Sequence, residues 1–268
     1  MPTLVTKDIE SLSGYMAFVE KQTETRWYRG CGDASYELMP SLYRHPQLID
    51  ASSLFKHEFD ILKRFRQRSI PYIGSTLADN DDLSTLFIMQ HFGVPTRLLD
   101  WTENPYIALY FALTDAKSLR TPKGPEYQDD VTIWVLDPIA WNGKALDVDP
   151  TPGIISPPEE DLLNGYLPSG SPKHRKPDPI ALYGVYNSPR IVAQRGVFTL
   201  FGANIKPMEQ LYVNNNYPQD CLLKLIIQKQ YIKEMLEALI RIGITDSVIF
   251  PDLQGLAKEL KRFFGFWV

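Results

Sequence analysis

Cysteine is nearly missing from this chain. Cys31 and Cys221 are its two occurrences in 268 residues, and they form no C-x-x-C pair. That excludes a disulfide framework and points to a reducing compartment. The four histidines, His45, His57, His91 and His174, fall at no metal-ligand spacing, which argues against a structural zinc site. Long apolar runs are missing too: nothing approaches the roughly 18 residues of a membrane-spanning helix. The opening MPTLVTKDIESLSGYMAFV lacks the basic start and apolar core of a signal peptide. The expectation is a cytoplasmic protein with no membrane partner. Positive charge is also in short supply: 28 Lys and Arg face 32 Asp and Glu, a formal net charge of −4. Bulk nucleic-acid binding, which needs cations to neutralise phosphates, is therefore excluded. Familiar catalytic signatures are absent as well. There is no G-x-x-x-x-G-K-[ST] loop, no G-x-S-x-G elbow and no H-E-x-x-H helix. The GCG at 30–32 lacks the third glycine of a dinucleotide fingerprint.

What is present is ample apolar material. Hydrophobic residues make up 44% of the chain, enough for a large core. Helical spacing predicts a first helix at 8–20, through Ile9, Leu12, Tyr15 and Val19. A second is expected at 52–68, striped by Phe55, Phe59, Leu62 and Phe65 and capped by Ser52 or Ser53. A third, at 81–92, starts at Asp81 or Asp82 and ends before Gly93. RWYRGCGD reads as a short strand broken by glycine, and ELMPSLYRHP as extended. PTRLLDW reads as a strand, with Thr102 capping a helix that tolerates Pro105 in its first turn. Strands follow at 131–137, 190–202 and 222–228. A helix through Ile232, Leu236, Leu239 and Ile240 ends at Gly243, SVIF is a strand, and a helix through Leu256, Leu260 and Phe263 closes the chain. The proline-rich stretch at 138–179, with KHRK at 173–176, reads as a surface loop or insertion reaching to about 185. The fold class is α+β: a mixed sheet flanked by helices, in one domain spanning 1–268.

Candidate chemistry gathers on a few residues. Arg29 follows Trp27 and Tyr28 and precedes Gly30. Its planar fork could present to a phosphate or carboxylate, with the glycine permitting close approach, or it could pair internally with an acid such as Asp33. Arg97 and Asp100 sit in an apolar run beside Leu98, Leu99 and Trp101, and burying either charge alone is costly. Their odd spacing puts them on opposite faces of a strand. One reading is a structural ion pair; the other places one of them, with Thr96 or Thr102, on a ligand. Gln194 is expected within a strand. Glu58 is expected to face solvent, or to reach Arg29 across a groove. Cys31 is a weak candidate nucleophile, since no histidine neighbours it. Asp252 reads as a helix cap.

The blocks WYRG (27–30), PSLYR (40–44), MQHFGVPTRLLDWTENPYIALYFA (89–112), AQRGVF (193–198) and IFPDLQGLA (249–257) occur in order. Together they resemble the FRG domain, named for an (F/Y)RG motif that here is Tyr28-Arg29-Gly30. The resemblance implies a bacterial or phage-associated protein and brings no established chemistry. An analogy to ADP-ribosyltransferase-like folds adds a mechanism. Such folds carry an Arg or His on an early strand, a second strand leading into a helix, and a third bringing a Glu or Gln. Arg29, the 96–112 segment and Gln194 follow that order. The analogy implies NAD as a substrate, with no resident cofactor or metal. Arg29 would hold phosphate or ribose, Tyr110 or Trp101 would stack on nicotinamide, and Asp100 or Glu58 would supply the carboxylate that Gln194 lacks. A toxin or phage-defence effector acting on a nucleotide or a protein target is the implied setting. The alternative is a sensor module holding a ligand or protein without turnover; a third is that the motifs are purely structural. Arg29 is expected to converge with residues 96–102, with Gln194 close by.

Overall fold

The computed structural model describes residues 2–48, 50–73, 81–122, 124–147, 153–156, 160–170, 174–185 and 188–266. In chain order the elements are β1 (Val5–Asp8), α1 (Leu12–Glu20), β2 (Trp27–Cys31), a 3-10 turn (Ser41–Arg44), α2 (Ala51–Ile73) and α3 (Asp82–His91). Then come β3 (Leu98–Thr102), α4 (Pro105–Thr114), a small hairpin of β4 (Ser118–Thr121) and β5 (Gly124–Tyr127), β6 (Val131–Leu136) and α5 (Pro138–Leu146). The chain continues through α6 (Glu160–Leu163), β7 (Ile180–Tyr183), α7 (Pro189–Gln194), β8 (Gly196–Leu200) and α8 (Met208–Asn214). It closes with β9 (Leu222–Ile227), α9 (Lys229–Arg241), α10 (Asp246–Ile249) and α11 (Leu253–Phe263).

Seven strands form one mixed sheet in the order β1-β9-β6-β2-β3-β8-β7, so the α+β expectation holds. The β1–β9 pair is parallel and the remaining pairs are antiparallel. Alternation along the strands splits the core between the two faces. From β2, Tyr28 packs with α1, α4 and α9, whereas Trp27 and Cys31 pack with residues of α5 and α8. β6 is buried throughout because it supplies both faces: Val131, Ile133 and Val135 to one, Trp134 and Leu136 to the other. A third cluster joins α2 and α3 to β7 and β8 through Leu62, Leu86, Phe87, Leu182 and Phe198.

Several local expectations need correction. Residues 190–202 are not one strand. Ser188 caps α7 by accepting from the Ile191 N–H, Pro189 occupies the first helical position, and Arg195 turns left-handed at φ 46° before β8 starts. The helix-start signal outweighs the strand preference of Ile191 and Val192. SVIF is likewise not a strand, since Asp246–Ile249 form a helical turn after extended Thr245. Asp50, not Ser52 or Ser53, accepts from the Ser53 N–H at the start of α2. Asn104, not Thr102, caps α4. PSLYR winds into the 3-10 turn. The described part of 138–185 is no simple surface loop. Asp137 caps α5, and Trp141, Ile155 and Tyr166 are fully buried. Lys173 of the KHRK run lies outside the described residues. Other expectations stand: Asp81 caps α3, Gly93 is left-handed (φ 74°), Gly243 follows α9 (φ 93°), and Asp252 caps α11.

Arg97 and Glu58 are both wholly buried and paired, Nε to Oε2 at 2.8 Å. Arg97 also donates to the carbonyls of Phe201 (2.7 Å) and Tyr166, and its guanidinium lies 4.6 Å from the Phe55 ring centroid. The solvent-facing expectation for Glu58 is therefore wrong: the buried face of α2 runs through Leu54, Glu58 and Leu62. Removing one partner of such a pair leaves an unmatched buried charge. Arg97→Ala should lose about 3–5 kcal/mol in denaturant unfolding. Arg97→Met with Glu58→Leu should be less damaging than either single change.

Helix α11 is held to α10 by polar contacts. The Arg262 guanidinium grips Asp246 (Nε to Oδ2, 2.9 Å), and Glu259 accepts from the Ser247 N–H (3.0 Å). Its apolar residues Leu253, Leu256, Leu260 and Phe263 point to solvent. Burial raises the Asp246 carboxyl, but hydrogen bonds from Arg262 and Tyr110 outweigh it and hold the pKa below the usual value. A depressed carboxyl binds fewer protons folded than unfolded, so its contribution is full above about pH 4 and fades as pH falls through the folded value. Thermal melts should show Asp246→Asn less stable than the parent at pH 7, with the difference narrowing toward pH 3.

Candidate functional site

The antiparallel arrangement of β2, β3 and β8 builds the site. Thr102 is opposite Tyr28 on one side and Gly196 on the other. The ends of β2 and β3 therefore lie beside the junction of α7 and β8. Two hydrogen bonds lock that junction: Thr102 Oγ1 donates to the Gln194 carbonyl (2.6 Å), and the Glu103 N–H donates to the Arg195 carbonyl (3.2 Å). Thr102 Oγ1 also accepts from the Asn104 N–H, linking β3 to the start of α4.

A cleft of about 270 Å³ lies here, walled by the sheet and by α3, α4 and α7. Arg29, Asp100 and Gln194, from three separate stretches of sequence, all line it, as do Tyr28, Gly30, Trp101 and Thr102. The expected convergence of Arg29 with this segment is thus seen. A larger depression of about 840 Å³, bordered by Thr23, Asp137, Lys144 and Pro218, gathers neither an arginine nor an aromatic ring.

Each polar group in the cleft has a distinct support. Arg29 is half-buried, and its Nη1 donates to the Asp100 carbonyl at 2.5 Å. The Asp100 carboxylate accepts from Gln90 Nε2 at 2.6 Å. Gln90 in turn accepts from Thr96 Oγ1 (2.6 Å), and Thr96 accepts from the Leu98 N–H (3.0 Å). Thr96 is wholly buried and does not line the cleft; it fixes the amide that orients Asp100. Gln194 Nε2 donates to the Ile249 carbonyl at 3.2 Å, which leaves its amide oxygen and its second N–H to offer a ligand. That residue ends a helix, and the strand expected to carry it starts two residues later.

Besides Thr96, other candidates are removed from the cleft by geometry. Arg97 is buried on the far side of the strand in its pair with Glu58, which also removes Glu58 as a cleft carboxylate. Tyr110 is buried against Asp246 (2.6 Å) and does not line the cleft. Cys31 is buried and its thiol is pushed up by that burial, which disfavours a thiolate nucleophile. Wall residues not among the candidates include Gln90, His91, Phe111, Asp115 and Arg190. The signal for the first two was present in MQHFG, polar residues closing an otherwise apolar helix. Arg190 had none, because its segment was read as strand. Among the described residues no cluster of His, Cys, Asp and Glu could hold a metal, and no helix is long and apolar enough to cross a membrane.

Residues 24–120 match the FRG domain family model. The chain carries an FRG domain. The match covers Arg29, Gln90, His91, Asp100, Phe111 and Asp115, most of the cleft's polar wall. Arg190 and Gln194 lie outside it, as do the AQRGVF and IFPDLQGLA blocks. Comparison with curated proteins and with solved structures found no match.

Gly30 of the FRG motif serves packing rather than ligand approach. A Cβ there would stand 1.9 Å from the Ala108 carbonyl and 2.6 Å from the Ala112 nitrogen, both backbone atoms of α4. Gly30→Ala should fail to fold or melt far below the parent. Arg29→Ala, which removes a half-exposed side chain with one backbone bond, should keep a cooperative melt within a few degrees. Circular dichroism melts of the two variants check both; an unfolded Arg29→Ala would make the arginine structural.

Proposed function

We propose that the cleft binds a nucleotide and that the FRG-domain protein is an NAD-using enzyme of the ADP-ribosyltransferase-like type. One observation carries the reading. Strands β2 and β3 and the α7–β8 junction bring Arg29, Asp100 with Thr102, and Gln194 to one cleft, in the chain order such a site requires. Aromatic walls from Tyr28, Phe87, Phe111 and Phe198 suit a flat heterocycle. A volume near the lower end of ligand sites, about 300–1,000 Å³, suits one nucleoside-sized half of a dinucleotide.

In this reading Arg29 anchors the ligand's ribose or phosphate as the ring stacks. Asp100 supplies the negative charge that Gln194 cannot. As the bond between ribose C1 and nicotinamide breaks, positive charge develops on the sugar, and the Asp100 carboxylate, oriented by Gln90, stabilises it. Gln194 would accept from a ribose hydroxyl through its amide oxygen. The acceptor, water or a protein side chain, decides between NAD hydrolysis and protein modification. A toxin or defence role is the setting in which either reaction would act.

The test is nicotinamide release from NAD, followed by chromatography, with transfer of labelled ADP-ribose to added protein. Asp100→Asn should lower the rate about 100-fold or more, the scale of removing one preorganised electrostatic group, and Arg29→Ala should abolish it. A wild-type protein that neither releases nicotinamide nor transfers label would sink the enzymatic reading. A second reading follows from the amide at position 194: without a carboxylate there, the cleft would hold its ligand without turnover. A melting temperature raised by NAD with no nicotinamide released would favour it.

A further inference from the structure

Two arginines line the cleft, and they are matched differently from within. Arg29, on β2, bonds to the Asp100 carbonyl and, with Lys258, acts electrostatically on Asp115. Arg190, on α7, makes no ion pair and no hydrogen bond among the described residues. Its guanidinium carbon lies 4.4 Å from the Phe250 ring centroid. A cation–π contact of this kind holds the group without using its N–H donors. Lys258 sits 4.9 Å from the same ring. His91 lines the cleft from α3, and its imidazole is pushed down by burial and then by Arg190, with Asp100 acting the other way. Arg190 therefore offers the cleft a planar donor fork with no acceptor of its own, which matches a phosphate's oxygens.

We propose that Arg190, with His91 beside it, is the anion-binding end of the cleft and takes the diphosphate of the bound nucleotide. Arg29 is left to position the ribose. The assignment rests on the nucleotide reading of the cleft and narrows the substrate class to nucleoside diphosphate derivatives, with unphosphorylated nucleosides excluded. Helix α7, which lies beyond the matched region, then delivers both Gln194 and the anion contact.

Isothermal titration of the full chain with ADP-ribose, adenosine and inorganic pyrophosphate tests it. Wild type should bind ADP-ribose more tightly than adenosine. Arg190→Ala should weaken ADP-ribose roughly 10- to 100-fold, the range of one charge-assisted hydrogen bond, and leave adenosine unchanged. Arg190→Gln, which keeps a stem over Phe250, should show the same loss if the alanine variant melts early. His91→Ala should give a smaller loss in the same direction. Arg190-dependent pyrophosphate binding without any nicotinamide release would uphold the anion end while the enzymatic reading falls. Folded Arg190 variants that bind ADP-ribose like wild type would overturn the proposal, as would a wild-type protein that binds neither ADP-ribose nor pyrophosphate.

Discussion

The buried Arg97–Glu58 pair is the constraint from which the rest of this architecture follows. A guanidinium with no exposed surface must have its donors satisfied, and Arg97 does so by reaching helix α2, the end of strand β8 and the Tyr166 segment. Those contacts tie together pieces of chain far apart in sequence. They also fix which face of the Leu98–Thr102 strand looks inward. With Arg97 committed to one side, Asp100 three residues on is turned to the other, where it meets Gln90 and the cleft. The pair is not a large source of net stability, because desolvation offsets much of its Coulomb attraction. Its effect is to set register and orientation.

The cleft is assembled from backbone geometry before any side-chain chemistry enters. Gly30 allows α4 to lie against β2 at a distance no other residue permits, which carries Phe111 and Asp115 to the cleft wall. Thr102 fastens the end of β3 to the last residue of α7. Polar side chains then occupy places made for them: Thr96 holds Gln90, and Gln90 holds Asp100. The order of these supports, from buried hydroxyl to amide to carboxylate, orients the exposed Asp100 carboxylate at the cleft.

Sequence reasoning located this region but misplaced some of its parts. The segment 89–112 was legible because its punctuation is strong: Gly93 after a helix, Pro105 at the start of another, and two charges inside an apolar run. The odd spacing of Arg97 and Asp100 correctly separated their fates. Periodicity failed where β-branched residues sit in helices, at Ile191-Val192 and in SVIF, because short segments carry too few positions for a period to register. Glu58 was misjudged for a different reason. A carboxylate on an amphipathic helix normally faces water, and nothing local announces a buried arginine 39 residues away.

By itself the sequence determined the FRG motif, the α+β class, the cap at Asp252 and the start of α3 at Asp81 or Asp82. These are local or compositional properties, readable from neighbours along the chain. The tertiary structure alone decided which charges are structural and which face the cleft. It placed Gln194 at the end of a helix, and it brought Arg190 and His91 together at one end of the cleft. Such facts depend on contacts between residues tens to hundreds of positions apart, and sheet pairing and helix packing, not local pattern, set those distances.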